Sequence, residues 1–364
     1  MQFIDLKTQQ VEIREKIDQR IKKILDHGKY IMGPEVYELE ERLADYVNVK
    51  HCISCSSGTD ALLIPLLAMN IGPGDAVITT PFTYIATAEV IALVGATPIF
   101  CDIYDKTFNI NPENLSRALD QAFSKNLKPK AIMPVDLFGL PARYRLIEKF
   151  AKENDLLIIE DAAQGFGGNI RGRKACSFGD VAGTSFFPAK PLGCYGDGGA
   201  IFTNDSNLSE SFRSIRVHGQ GIDKYDNIQI GLNSRLDTIQ AAVLLNKLDI
   251  FEDEIKKRNH IASYYSKNLH KYLKTPFIKK KNISSWAQYS LLAKNQQERD
   301  SLVQFLIDNG IPTAIFYKKM FSELDFYVED NRENQFNISK KLSECIFSIP
   351  MHPYLTKNEQ DLII

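Results

Sequence analysis

Between Cys52 and Thr203 short apolar runs recur, with helix-patterned stretches among them. The runs are Cys52–Ser54, Ala76–Thr79, Pro98–Asp102, Ala131–Val135, Leu156–Ile159, Val181–Phe186 and Gly199–Thr203. Asp60–Met69 and Ala86–Val94 read as helices between the first three runs. Parallel pairing needs a long crossover, usually a helix. Strands that are apolar on both faces sit under helices on both sides. The pattern therefore predicts an α/β fold, a mostly parallel sheet with helices on both faces. Upstream, Ile13, Ile17, Ile21, Ile24 and Leu25 recur at helical spacing through Val11–His27. Gly33-Pro34 then breaks the chain before a second helix, Glu35–Val47. After about Leu236 the texture changes. Thr238–Ser266 is a long helical pattern, rich in charge past Phe251. It suits a connector to a smaller α/β unit, so we expect a large domain over residues 1–250 and a small C-terminal domain over 251–364.

With 364 residues, 44% of them hydrophobic, the chain can bury a large core. A net charge of -1 gives no reason to expect a nucleic-acid or acidic-membrane partner. No apolar run is long enough to span a bilayer. The segment Met1–Lys7 lacks the features of a signal peptide. Six scattered cysteines suit a reducing cytoplasm. Cys52 and Cys55 form a C-x-x-C pair, but no second Cys or His pair follows at zinc-site spacing, and the pair lies on a strand. We expect inert thiols and no metal site. The run Lys279-Lys280-Lys281 reads as a solvated loop, with an anion-binding patch as the functional alternative.

Five segments carry chemistry. Ser56-Ser57-Gly58-Thr59-Asp60 ends a strand and opens a helix, where backbone N–H groups can hold a phosphate or merely be capped. Tyr84, just past another strand, can stack on a flat ring or fill the core. Glu160-Asp161-Ala162-Ala163-Gln164 follows a buried run, at the edge where open α/β sheets bind ligands. A carboxylate there can keep a pyridine nitrogen protonated, Gln164 can bond a ring oxygen, and the bland reading is a helix cap. Lys190 lies about thirty residues on, in Ser185-Phe186-Phe187-Pro188-Ala189-Lys190-Pro191-Leu192-Gly193, before Gly196-Asp197-Gly198-Gly199. A lysine held in a tight small-residue loop can link to pyridoxal phosphate (PLP). Asn233 and Arg235 precede a helix, and Arg235 can clamp a carboxylate or pyrophosphate. Gly165-Phe166-Gly167-Gly168 does not spell the dinucleotide-binding G-x-G-x-x-G and lies far from the first βα turn.

In this order and spacing the segments resemble the DegT family of nucleotide-sugar aminotransferases, within the fold-type I, aspartate aminotransferase-like PLP enzymes. The likeness runs from Phe3–Leu6 to Pro350–Leu355. It implies that Lys190 carries the cofactor as a Schiff base and that Asp161 pairs with the pyridinium. Gln164 would meet the ring oxygen, Tyr84 would stack on the ring, and Gly58, Thr59 and Ser185 would hold the phosphate. Asn233 would reach the phosphate from the neighbouring subunit, which makes the enzyme a homodimer with shared sites. Within the family, the chain is most similar to enzymes that move an amino group from glutamate to C3 of a UDP-linked 2-acetamido-2-deoxy-3-oxo sugar. That activity belongs to cytoplasmic synthesis of lipopolysaccharide (lipid A or O-antigen) or a surface glycan. C4 amination, or a non-catalytic PLP-binding regulatory domain, is the alternative. Arg235, Phe316 and Tyr317 fall at substrate-binding positions, with Phe316 where such relatives carry histidine. Phenylalanine cannot hydrogen-bond a carboxylate, and Asp136 would repel one if it faced the site. Both features lean toward an uncharged sugar C6, while Arg235 leans toward a glucuronate.

Overall fold

Seven strands build the central sheet of the computed structural model, which describes residues 1–223, 225–324 and 336–364. Two helices come first, α1 (Leu6–His27) and α2 (Pro34–Val47). Then follow β1 (His51–Cys55), α3 (Gly58–Ala68), β2 (Asp75–Thr79), α4 (Ala86–Leu93), β3 (Thr97–Phe100), α5 (Leu115–Ser124), β4 (Lys128–Ile132), α6 (Tyr144–Glu153) and β5 (Leu157–Asp161). A small hairpin, β6 (Asn169–Ile170) and β7 (Arg173–Lys174), precedes β8 (Val181–Ser185), β9 (Gly199–Thr203) and α7 (Ser206–Ile215). The sheet order is β1-β9-β8-β5-β4-β2-β3, and only β9 runs against its neighbours. The mostly parallel α/β sheet expected from the strand–helix alternation is what forms. The first helix begins five residues earlier than its apolar spacing suggests, at Leu6, because Asp5 caps it by accepting from Thr8 N–H. The β6–β7 hairpin carries no expected strand signal, because two-residue strands have no periodicity to read.

Strand alternation sorts the core into two layers. Val77, Ala131, Met133 and Ile159 pack under α3 and α4. Ala76, Ile78, Ile132 and Ile158 face α5 and α6 on the other side. Near β1, β8 and β9 the second layer is completed by α2 and by α8 (Thr238–Leu269). Helix α8 runs unbroken past Phe251 into a second apolar cluster, where Ile261 and Tyr265 meet Tyr289, Phe347 and Ile349. That cluster surrounds β11 (Tyr289–Leu292) paired antiparallel with β12 (Ile346–Ile349), flanked by α9 (Gln296–Asp308), α10 (Asn337–Cys345) and α11 (Lys357–Ile363). Between the two clusters, β10 (Asn282–Ile283) joins β6 edge to edge. All six cysteines are buried and unpaired.

Candidate active site

The carboxyl ends of β5 and β8 and the start of α3 converge on one face of the sheet. Glu160 and Asp161 are consecutive on β5, so they point to opposite faces. Asp161 faces α4, where its Oδ2 accepts the Thr87 hydroxyl at 2.7 Å and its Oδ1 accepts the Ala163 N–H at 3.1 Å. It is 3% exposed. Burial pushes its carboxyl above the ordinary range, against the pull of Thr87, Ala163 N–H and the charge of Lys190. Lys190 stands in the loop after β8, held through its own N–H to the Phe187 carbonyl at 2.8 Å. Burial pushes its amine below the ordinary lysine range, and Asp161 opposes that shift. A buried acid and a partly buried amine are thus close enough to feel each other's charge.

Helix α3 starts beside them. Ser57 caps it by accepting from Asp60 N–H at 3.1 Å, which leaves the first N–H groups of Gly58 and Thr59 open. Gly58 is required here: a Cβ would lie 2.5 Å from the Cβ of Ser185. Asp60, an acid at the same helix start, is turned away from the opening. Its Oδ2 is bonded by the Ser56 hydroxyl and by the Ser234 hydroxyl at 2.6 Å. Ser185 is 8% exposed and its Oγ accepts Phe187 N–H at 3.2 Å. Tyr84 is 58% exposed, so its ring is available to stack on a ligand. Gln164 is buried, its Oε1 taken by Phe138 N–H at 2.7 Å and its Nε2 donating to the Tyr317 hydroxyl at 2.9 Å. Tyr317 also packs edge-on against Phe82, 6.0 Å between centroids.

The remaining residues named from sequence make other contacts. Asn233 is exposed, and its Oδ1 accepts Arg235 Nη2 at 2.5 Å, so these two side chains pair with each other. Phe316 packs near Phe3, 6.4 Å between centroids, and contributes apolar wall only. Asp136 does not face the site, which corrects the repulsion argued from sequence. Its Oδ1 accepts Ala142 N–H at 3.0 Å and the Tyr144 hydroxyl at 2.8 Å, on the α6 side of the sheet. There it adjoins Glu160, whose oxygens accept Cys176 N–H and Phe178 N–H. Burial drives both carboxyls up, Asp136 to about 6, and a proton on Glu160 supplies the donor that Asp136 Oδ2 otherwise lacks. Sequence reasoning missed Thr87 and Ser234, and it left the helix cap at Ser57 open as one of two readings. Thr87 and Ser234 are single hydroxyls inside longer patterns, with no local signal. Ser57 was visible as an N-cap type, but not as the residue that orders the open N–H groups.

These groups fit PLP. The open helix start and the glycine cradle suit a phosphate, and an exposed tyrosine ring is free to stack. Asp161 is a buried carboxylate that a protonated pyridine nitrogen would match in charge.

Comparison with known proteins agrees with that chemistry. The profile of the DegT/DnrJ/EryC1/StrS aminotransferase family matches residues 11–364. A UDP-2-acetamido-2-deoxy-3-oxo-D-glucuronate aminotransferase from Pseudomonas aeruginosa PAO1 is 47% identical over 356 residues, 98% of this chain and 96% of the relative. A UDP-N-acetyl-3-dehydro-alpha-D-glucosamine 3-aminotransferase from Acidithiobacillus ferrooxidans is 35% identical, covering 98% of this chain and 94% of the relative. The crystal structure of a DegT DnrJ EryC1 StrS aminotransferase from Brucella abortus superposes with a TM-score of 0.97 at 48% identity, covering 100% of this chain and 97% of that one.

Proposed function

The chain belongs to the DegT/DnrJ/EryC1/StrS aminotransferase family, and on that premise we propose that it moves an amino group from glutamate to C3 of a UDP-linked 2-acetamido-2-deoxy-3-oxo sugar for a lipopolysaccharide or other surface glycan. It is a PLP-dependent aminotransferase. The observation that carries the reading is the buried Asp161 carboxyl, which feels the charge of Lys190, beside the open start of α3. PLP, when bound, supplies a conjugated electron sink for the amine being transferred. The Gly58 and Thr59 N–H groups and the Ser185 hydroxyl would hold its phosphate. Tyr84 would cover one ring face, Gln164 the ring oxygen, and Asp161 would keep the ring nitrogen protonated. Lys190 would hold the cofactor at rest and be released when the donor's amine takes its place. Its freed amine would then accept the proton from the donor Cα, and would return a proton to the sugar C3 in the second half-reaction. A depressed amine pKa suits that role, because the lysine must be neutral to accept the proton.

For the sugar, we place the 3-oxo-glucuronate first. Greater identity to the glucuronate enzyme supports it, and Asp136 no longer argues against it. Phe316 favours the second reading, an uncharged C6, because it offers a sugar carboxylate no hydrogen bond. We also read the enzyme as a cytoplasmic homodimer. Ile222, Ile228 and Ile230 are 107%, 65% and 88% exposed on the segment leading to Asn233 and Arg235, an apolar face that a second copy would cover. Asn233 and Arg235 would then serve the partner's site. The same reading divides the chain into a PLP domain, 1–250, and a small domain, 251–364. Among the described residues no helix is long and apolar enough to cross a membrane.

The test is a spectral titration of PLP-loaded enzyme, run in reverse, with the 3-amino derivatives of UDP-N-acetylglucosamine and of its glucuronic acid. Loss of the visible cofactor band with the glucuronate supports the first reading. Loss with the uncharged sugar alone supports the second. A band unchanged by either removes the C3 assignment.

A further inference from the structure

Away from the Asp161–Lys190 cavity, on the α6 side of the sheet, the fold gathers cations from four separate stretches of chain. The loop after β3 brings Lys106, the start of α6 brings Arg143 and Arg145, the β6–β7 hairpin brings Arg171 and Arg173, and the approach to β10 brings Lys279. They line a groove of about 670 Å³. Pairing of β10 with β6, and the Arg171 N–H bonded to the Lys281 carbonyl at 3.1 Å, fix the lysine run against the hairpin. Lys280 and Lys281 continue the rim beside Arg171. The run that reads as a solvated loop in the sequence is exposed but anchored, and it faces other cations.

Two of these charges are matched. Arg173 meets Glu148 at 2.7 Å, and Arg143 meets Glu113 at 3.5 Å. Among the described residues Arg145, Arg171 and Lys279 to Lys281 have no carboxylate within ion-pair distance. The chain as a whole carries a net charge of -1, so this excess is local rather than a property of a basic protein. It is also placed at a cost. The first turn of α6 holds no acid, and Arg145 sits at the positive end of the helix dipole. Like charges held together at that position destabilise the fold unless an anion joins them. The floor of the groove is apolar, with Leu140 and Ile170, and with Tyr144 and Phe178 stacked at 4.2 Å between centroids. Phe277 stands half-exposed at the rim. A cationic rim over an apolar floor, in a concavity of this size, suits a small molecule rather than a flat lipid surface or a nucleic-acid track.

We propose that this groove is a second, non-catalytic binding site for a nucleoside diphosphate, its phosphates on Arg145, Arg171 and the lysine run and its base over the apolar floor. None of the groove's lining residues is one that would hold PLP, so a ligand there would not displace the cofactor.

The test is calorimetric titration of the PLP-loaded enzyme with UDP, and separately with inorganic pyrophosphate, at physiological salt. The wild type is compared with Arg145→Glu/Arg171→Glu. Both positions are exposed and neither belongs to the catalytic cavity, so turnover at low substrate is expected to stay unchanged. Lys279→Gln/Lys280→Gln reads the same loss if the first pair disturbs folding. The expected result is one more UDP bound per chain in the wild type than in the variant, with pyrophosphate affinity falling about tenfold or more. Identical isotherms for wild type and both variants overturn the proposal. So does tighter binding to phosphatidylglycerol vesicles with no UDP at the groove, which would make this a membrane-facing surface. Because the readout is a difference, failure of the catalytic reading would remove one UDP from both proteins and leave the difference intact.

Discussion

Replacing Gly58 by alanine tests the phosphate end of the site through a single methyl group. The new Cβ would lie 2.5 Å from the Ser185 Cβ, 2.9 Å from its Oγ and 3.1 Å from its Cα. Carbon atoms in contact settle near 3.5–4.0 Å, so the overlap is about 1 Å. Ser185 cannot step aside: it ends β8, which is paired with β9 on one side and β5 on the other. The start of α3 must move instead. Overpacking of this kind costs about 1–3 kcal/mol. Better helix propensity returns at most about 1 kcal/mol, so the expected net loss of stability is between about 0 and 3 kcal/mol. Binding should suffer more than stability. Displacing the Gly58 and Thr59 N–H groups weakens charge-assisted bonds worth about 1.5–3 kcal/mol each, so the PLP dissociation constant should rise at least about tenfold. Visible absorbance on titration with PLP gives the binding, and a urea midpoint gives the stability. Gly58→Ala/Ser185→Gly removes the opposing Cβ and should recover the stability. A Gly58→Ala variant that binds PLP as tightly as the wild type would falsify the phosphate assignment.

Three further outcomes follow from the same geometry. Thr87→Val deletes the buried hydroxyl that Asp161 accepts at 2.7 Å. We expect kcat to fall roughly tenfold or more with a smaller change in donor KM, and Thr87→Ser to restore it, whereas a purely structural role would leave the serine variant as poor as the valine. Glu40→Gln should cost about 3–5 kcal/mol, because it leaves Arg216, whose side chain is 4% exposed, as a buried charge without its acid, while Arg213 at 39% can turn to solvent. Burial pushes the Glu40 carboxyl up, but Arg216 and Arg213 pull it further down, so its net shift is below the usual 4.5. A depressed acid stabilises above its unfolded value and loses that contribution as pH falls through the folded one. The gap between wild type and Glu40→Gln should therefore narrow below about pH 4.5 in acid-unfolding curves. Last, Lys190→Ala mixed with Arg235→Ala should regain activity that neither has alone if Arg235 serves the partner's site; a mixture as inactive as its components would place Arg235 in its own subunit.

Most of the site is legible in the sequence because sheet geometry makes it so. Once the apolar runs are read as parallel strands, their carboxyl ends must share one edge. The Ser-Ser-Gly-Thr turn, the acid after Ile159 and the loop carrying Lys190 then meet without any appeal to detail. What the linear order does not carry is the choice of face. Glu160 and Asp161 are adjacent and equally acidic, and a shift of one residue in strand parity would exchange them. The outcome is decided by Ile158 and Ile159 upstream, which pack under α6 and under α3 and α4 respectively. Asp136 escapes for the same reason. It follows β4 as Asp161 ends β5, yet it points to the α6 side and shares a proton with Glu160. Two acids below the sheet and one above it are thus separated by one strand's thickness. The pair below shares one proton, on Glu160, and so carries one negative charge rather than two. Asp161 is left as the one carboxylate on the α4 side of β5, with Thr87 to orient it and the Lys190 charge acting on it. Cys176 N–H and Phe178 N–H pull Glu160 toward ionisation, and burial and the Asp136 charge outweigh them. A substitution that lets Glu160 ionise would double the negative charge below β5, one strand's width from Asp161.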